Sequence, residues 1–276
     1  MAQKKVLFIT PEIYPYFPEG YISNICRYLP QGIQERENEI RTFMPKFGCV
    51  NDHKHMLHEV IRLSGQNIII EDTDHPLIIK VASIQSAKIQ VYFIDNDDYF
   101  NKRQMERNEE GVDYSDNGER AIFFARGVLE TVKKLRWVPD IIHCHGWMSA
   151  VVPLYIKTAY HDEPSFTNTK VITSLFAKSL TKNLGDNFKR CVEFREATSD
   201  ILEPYSDNFD FDELGKLAID FSDGIIETEG ASKHLLDYAN KKETPILKFN
   251  NDSFADAIED FYNQIAPDTT PEEEEE

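Results

Sequence analysis

Two kinds of hydrophobic pattern divide this chain. Short apolar runs at 6–10, 141–145 and 170–176 fit strands buried on both faces of a parallel sheet. The segments 21–37, 117–135 and 148–160 read as helices. Within 117–135, the residues Ala121, Phe124, Val128, Leu129, Val132 and Leu135 recur at three- and four-residue intervals and give one core-facing stripe. Residues 39–46 form a second strand, and strand, helix, strand at this spacing implies a right-handed crossover. From 57 to 95 the period changes. Segments 59–63, 67–70, 76–84 and 89–94, separated by polar turns, predict an antiparallel insertion that returns to the main sheet at 91–95.

Residues 95–116 are polar and aromatic, a loop with a helical turn around Tyr99 and Phe100. Residues 178–210 carry no clear period and predict an irregular or weakly helical excursion. Leu214, Leu217, Ala218 and Phe221 then mark a short helix, 224–227 a strand and 232–239 another helix. The segment 253–265 reads as a capped amphipathic helix with Phe254, Ile258, Phe261 and Ile265 on one face, which must dock on something. The expected architecture is α/β, a Rossmann-like doubly wound sheet in one domain, 1–266, followed by a disordered acidic tail at 267–276.

Composition narrows the partners. At 276 residues and 41% hydrophobic, the chain can bury one large core without disulfides or metal. The 48 acidic residues against 30 Lys and Arg leave a net charge of −18, which argues against nucleic acid and against an anionic membrane surface. Cys26, Cys49, Cys144 and Cys191 are scattered without a C-x-x-C pair, and the N-terminus lacks a signal-peptide pattern. No apolar run approaches the ~20 residues that span a bilayer. Reduced thiols and a cytoplasmic location are expected, with no cofactor.

Candidate chemistry gathers at two strand ends. The loop 11–20 packs three prolines, two tyrosines and a glycine after the first strand, and reads either as a ligand-facing element or as a stiff cover over the sheet. In 141–145, alternation puts Ile141, His143 and His145 on one face and Ile142 and Cys144 on the other. His145 thus lies at the carboxyl end, where open α/β sheets form ligand crevices. A hydrogen-bonded structural histidine is the alternative. The His143, Cys144, His145 triplet does not suit a metal, because the thiol faces away.

Four blocks carry a family resemblance: K-V-L-F-I-T-P-E-I-Y-P from Lys5, continued by Leu29-Pro30 and M-P-K-F from Met44; V-Y-F-I-D-N-D-D-Y-F from Val91; D-N-G-E-R from Asp116; and P-D-I-I-H-C-H-G-W from Pro139. In this order they resemble bacterial glycogen and starch synthases of the ADP-glucose type, and the match can be followed to 218–223. The resemblance implies the N-terminal half of a glycosyltransferase-B fold. In those enzymes this half binds the growing α-1,4-glucan, while a second domain holds most of the ADP-glucose site. The chain resembles the first domain alone, so the basic pair and carboxylate of the second are expected to be missing. In the same light 253–265 resembles the last helix of such enzymes, which packs back on the first domain; an ordinary edge helix is the other reading.

Departures from the family pattern are as informative. Where K-T-G-G-L is expected, the chain has Pro18-Glu19-Gly20-Tyr21-Ile22, so a lysine has become proline, a glycine has become Tyr21, and Gly20 alone survives. Glu19 beside a diphosphate would repel it. For H-D-W-H the chain has His145-Gly146-Trp147-Met148, and for I-H-N only Leu175-Phe176. The resemblance makes Gly20, Asp116, His145 and Trp147 the candidate substrate-binding residues, with no catalytic residue and no metal ligand assigned. Asp116, Asn117 and Glu119 meet sugar hydroxyls on one reading; on the other, Asp116 or Asn117 caps the helix. Trp147 either stacks on a sugar or packs in the core.

Three functions are therefore open. The chain is a glucan-synthase acceptor domain that keeps contact with α-glucan or malto-oligosaccharide and works with a protein partner supplying the nucleotide-sugar domain; or a non-catalytic scaffold; or a homodimeric transferase. The first is the reading adopted, with the chain not competent alone. The last is weakest, because two copies without diphosphate-binding cations still contain none.

Overall fold

The computed structural model describes residues 3–249 and 254–268. In chain order the elements are β1 (Lys5–Ile9), α1 (Tyr21–Gln34), β2 (Glu39–Pro45), α2 (Asp52–His55), β3 (His58–Glu59), β4 (Gln66–Ile70), β5 (Thr73–Ile84), β6 (Ile89–Asp95) and α3 (Asn117–Leu135). Then follow β7 (Ile141–His145), a 3-10 turn (Trp147–Ser149), α4 (Val152–Lys157), β8 (Lys170–Leu175), α5 (Phe188–Cys191), α6 (Ser199–Leu202), α7 (Phe211–Asp220), β9 (Gly224–Glu227), α8 (Lys233–Lys241), β10 (Ile246–Lys248) and α9 (Phe254–Ile265).

The strands join in the order β10-β9-β8-β7-β1-β2-β6-β5-β3, with β4 paired to β5. From β10 to β6 every pairing is parallel; β5 runs antiparallel to β6, and β3 and β4 antiparallel to β5. The antiparallel insertion returns to the sheet through β6, as the change of period predicts. The chain winds outward from β1 through β2 and β6, then crosses back to β7 on the other side. Its topological switch point lies between the carboxyl ends of β1 and β7, where α/β sheets open a crevice.

Alternation along the strands builds two apolar layers. On one face Val6, Phe8, Ile141, Ile172 and Ile226 pack against Ile25, Leu29 and Ile33 of α1 and Ile258, Phe261 and Tyr262 of α9. On the other, Leu7, Ile9, Ile142 and Cys144 join Phe124 and Val128 of α3, Leu154 of α4 and Leu217 of α7. Each fully buried aromatic or aliphatic side chain contributes about 2 kcal/mol. Helix α9 is held at its edges as well. Arg36 pairs with Asp256 and, at 3.6 Å, with Glu259, while Asn38 Nδ2 donates to Glu259 Oε1 at 2.7 Å. The cap expected at Ser253 and the tail from 269 onward lie outside the described residues.

Three differences from the sequence pattern have simple causes. The helix expected over 148–160 is instead a 3-10 turn followed by the six residues of α4. Pro153 has no N–H to donate and starts a new helix in its first turn instead of continuing one. Of the strand expected over 59–63 only Glu59 falls in β3, because the backbone turns where Leu63 N donates to Val60 O. The edge strand β10 spans only three residues, too few to show a period. No helix among the described residues is long and apolar enough to cross a membrane.

Candidate functional site

The crevice over the switch point is shut. His145 is completely buried, and neither ring nitrogen has a hydrogen-bond partner among the described residues. Its ring lies 4.0 Å from that of His143, 6.2 Å from Phe8 and 6.0 Å from Phe176. Burial drives its pKa down to about 3, so the imidazole is neutral. His143, one register position deeper, is equally buried but fully bonded: Nδ1 to the Tyr262 hydroxyl and Nε2 to the Ser174 hydroxyl, both at 2.7 Å. It belongs to the core and anchors α9.

The turn that follows allows little else. Gly146 sits at φ 68° and ψ −176°, a backbone region essentially confined to glycine. Trp147 is buried beside Leu175, Phe211 and Leu214 around a cavity of only about 20 Å³, and Met148 is fully buried. Gly20 lies on the exposed rim, at the start of α1, in an extended conformation that any residue adopts.

The open space lies next door, at the carboxyl ends of β1, β2 and β6. A cavity of about 840 Å³ is bounded by Phe17 and Pro18 from the first loop, Gly48 and Cys49 after β2, and the 102–109 segment with Tyr114 after β6. Such a volume is in the range of ligand sites. Its lining includes Phe17 and Tyr114, the acidic Glu106 and Glu109, Gln104, and the cationic Lys102, Arg103 and Arg107. Glu106 is half-buried, with Oε2 lacking any hydrogen-bond partner among the described residues. Burial, with Asp113 nearby, raises its pKa.

The D-N-G-E-R block builds this wall. Asn96 opens the loop with an Asx turn, its Oδ1 accepting from the amides of Asp98 and Tyr99 at 2.9 and 3.1 Å. Asp116 then holds Arg103 through two bonds of 2.7 and 2.6 Å, and the Arg103 guanidinium lies 4.2 Å from the Tyr114 ring centre. Asn117 Nδ2 donates to Glu106 O at 2.9 Å, and Glu119 accepts from the Tyr99 hydroxyl at 2.8 Å. The capping reading is therefore corrected: neither Asp116 nor Asn117 caps α3 with its side chain, because both are committed to the loop. At Gly118 a Cβ would collide with the Leu184 carbonyl and the Phe188 ring.

Arg120 is completely buried, and its guanidinium donates to the carbonyls of Tyr99, Gln104 and Met105 and to Asn117 Oδ1, at 2.7 to 2.9 Å. Burial and the neighbouring Arg103 lower its pKa to about 10, still charged at neutral pH. Asp113 fastens the far end. It accepts from Arg107 Nε at 2.7 Å, from the Thr181 amide and hydroxyl, and from the Lys182 amide. Burial alone would raise this carboxyl, but those donors outweigh it and hold it at about 2.

The four expected site residues thus share the carboxyl edge but not an environment. Gly20 is on the rim, His145 is sealed, Trp147 is in the core, and Asp116 stands behind Arg103. The cavity-lining Arg103, Glu106, Arg107 and Tyr114 did not stand out in sequence; the signal available was the polar, aromatic loop after a strand. Among the described residues, no group of three or more His, Cys, Asp or Glu could hold a metal ion.

A family model described as the starch synthase catalytic domain matches residues 5–229. The glycogen synthases of Chlorobium limicola and Chlorobium luteolum are each 38% identical over 172 residues, covering 62% of this chain and 35% of theirs. The chain therefore spans about a third of the length of these relatives. Among solved structures, the catalytic domain of starch synthase IV from Arabidopsis thaliana, bound to ADP and acarbose, aligns with a TM-score of 0.70 at 16% identity, over 90% of this chain and 51% of that one. That likeness is one of fold.

Proposed function

The chain belongs to the starch synthase catalytic-domain family, and from that premise we propose that it is an α-glucan-holding module of glycogen or starch synthesis that does not transfer glucose by itself. Its α/β sheet is of the glycosyltransferase-B type. The observation that carries the proposal is the cavity of about 840 Å³ at the carboxyl ends of β1, β2 and β6. Aromatic lining residues such as Phe17 and Tyr114 suit the apolar sides of glucose rings. Glu106 and Gln104 suit paired hydroxyls, which both donate and accept.

The transfer site of the family corresponds here to the sealed crevice. Gly20, His145 and Trp147 mark its place, and Pro18, Glu19 and Tyr21 stand where a cation and a small residue would meet the diphosphate. Glu19 in particular puts a negative charge where the departing diphosphate needs positive charge or hydrogen-bond donors. Asp116 serves the glucan indirectly, by fixing Arg103. A domain that binds the nucleotide sugar would be needed to complete the reaction.

Calorimetric titration with maltoheptaose, and separately with ADP-glucose, tests this. The expected result is saturable heat with the glucan, about fivefold weaker in Glu106→Gln, and none with ADP-glucose. No heat with maltoheptaose from the folded protein would sink the glucan reading and leave the alternative, a scaffold without carbohydrate affinity.

A further inference from the structure

We propose that Tyr21 is a latch: its side chain ties the start of α1 to the turn after β9, seals the switch-point crevice, and makes His145 accessible only when that contact opens. The Tyr21 hydroxyl accepts a hydrogen bond of 3.0 Å from the Glu229 amide, joining residues 208 apart in sequence. Its ring packs on the same apolar layer that holds Phe8 and Phe176. From Glu229 a chain of close contacts leads to the histidine. Gly230 abuts Ala177, so closely that a Cβ there would come within 3.0 Å of the Ala177 Cβ. Ala177 follows Phe176, whose ring lies 6.0 Å from that of His145.

The sealed state is costly for the histidine, because a buried polar atom without a partner loses its hydration and gains nothing in return, and both His145 ring nitrogens lack a partner among the described residues. Packing and the latch hold the imidazole away from water that would otherwise satisfy it. The latch also has somewhere to go. A cavity of about 310 Å³ adjoins Tyr21, Thr228, Glu229 and Gly230, so the phenol can swing out without displacing an element of the fold. Where the resembling enzymes carry a glycine at this position, no such bridge can form.

Reaction of histidines with diethyl pyrocarbonate, mapped by peptide mass, tests the latch. In the wild type, the exposed His58 and His161 should react and His145 should not. Tyr21→Gly, which removes bridge and ring together, should raise the His145 rate about tenfold or more, and Tyr21→Phe, which removes only the bond, about fivefold. His143 is the internal control, since Tyr262 and Ser174 bond both its nitrogens; it should stay unreactive throughout. The proposal is overturned if His145 in Tyr21→Gly reacts no faster than in the wild type, or if His143 becomes reactive in step with it. Neither outcome depends on glucan binding.

Discussion

The switch-point crevice and the neighbouring cavity leave the same edge of one sheet and end in opposite states. Over β1 and β7 the packed side chains around the histidines are apolar or neutral, the backbone turns through Gly146, and an imidazole is closed in with no hydrogen-bond partner among the described residues. Over β2 and β6 the loop is a lattice of guanidinium and carboxylate groups, clipped at Asp113, Asp116 and Arg120, and it leaves an open cavity. The departures from the family pattern at Tyr21, Gly146, Met148 and Phe176 fall on the closed side, whereas Pro18 borders the open one. The retained blocks at 91–100 and 116–120 build the open one. A site is kept open here by charged scaffolding behind it, and closed by small changes of shape at the rim.

The largest effect should come from Arg120→Met, which strips the scaffold of a buried charge that three carbonyls and Asn117 accept from. Those acceptors would be left unpaired, and a loss of about 3–5 kcal/mol in urea unfolding is expected. A loss under about 1 kcal/mol would mean that the cavity wall stands without its scaffold.

Glu12 lies in the loop shared by both regions and comes next. Burial, with Glu106 adding repulsion against an amide bond from Ser23, raises its pKa from 4.5 to about 7. The folded chain therefore holds this proton more tightly than the unfolded chain. The associated stabilisation is complete below about pH 4.5 and is lost as pH rises through about 7, an effect of roughly 3 kcal/mol at most. Glu12→Gln has no such proton to lose, so it should gain on the wild type between pH 5 and pH 8 in unfolding free energy. Parallel curves for the two proteins would place the carboxylate in water.

Gly146→Asp puts back the residue expected in H-D-W-H and asks whether the closed side can be reopened by sequence alone. Space is present, since a Cβ would stand 3.5 Å from Pro11 and 3.9 Å from Phe176. The backbone is the obstacle, and a thermal-stability loss equivalent to about 1–3 kcal/mol is expected. An unchanged melting temperature would show the turn to be free to re-form.

Much of the fold was legible before the structure. The core helix over 117–135 and the strands over 141–145 and 224–227 follow from hydrophobic period, and the antiparallel insertion from its change. What did not show was tertiary. Nothing in D-N-G-E-R distinguishes a cap or a sugar contact from a clamp, because the partners at Tyr99, Arg103 and Leu184 are brought in by loops without a period. His145 was rightly placed at a strand end, but its burial was not legible, because the Phe176 ring 6.0 Å away comes from the end of another strand and meets it only in the folded chain. Alternation along the strand did anticipate that Cys144 would leave the histidines and join the opposite layer.

The most direct test of the contrast is to follow backbone amide resonances while maltoheptaose is added. Shifts confined to Gly48, Cys49 and the 102–114 loop, with 145–149 and 175–177 unmoved, are the predicted result. Shifts centred on 145–149 instead would contradict it, because they would put the glucan in the crevice held here to be sealed.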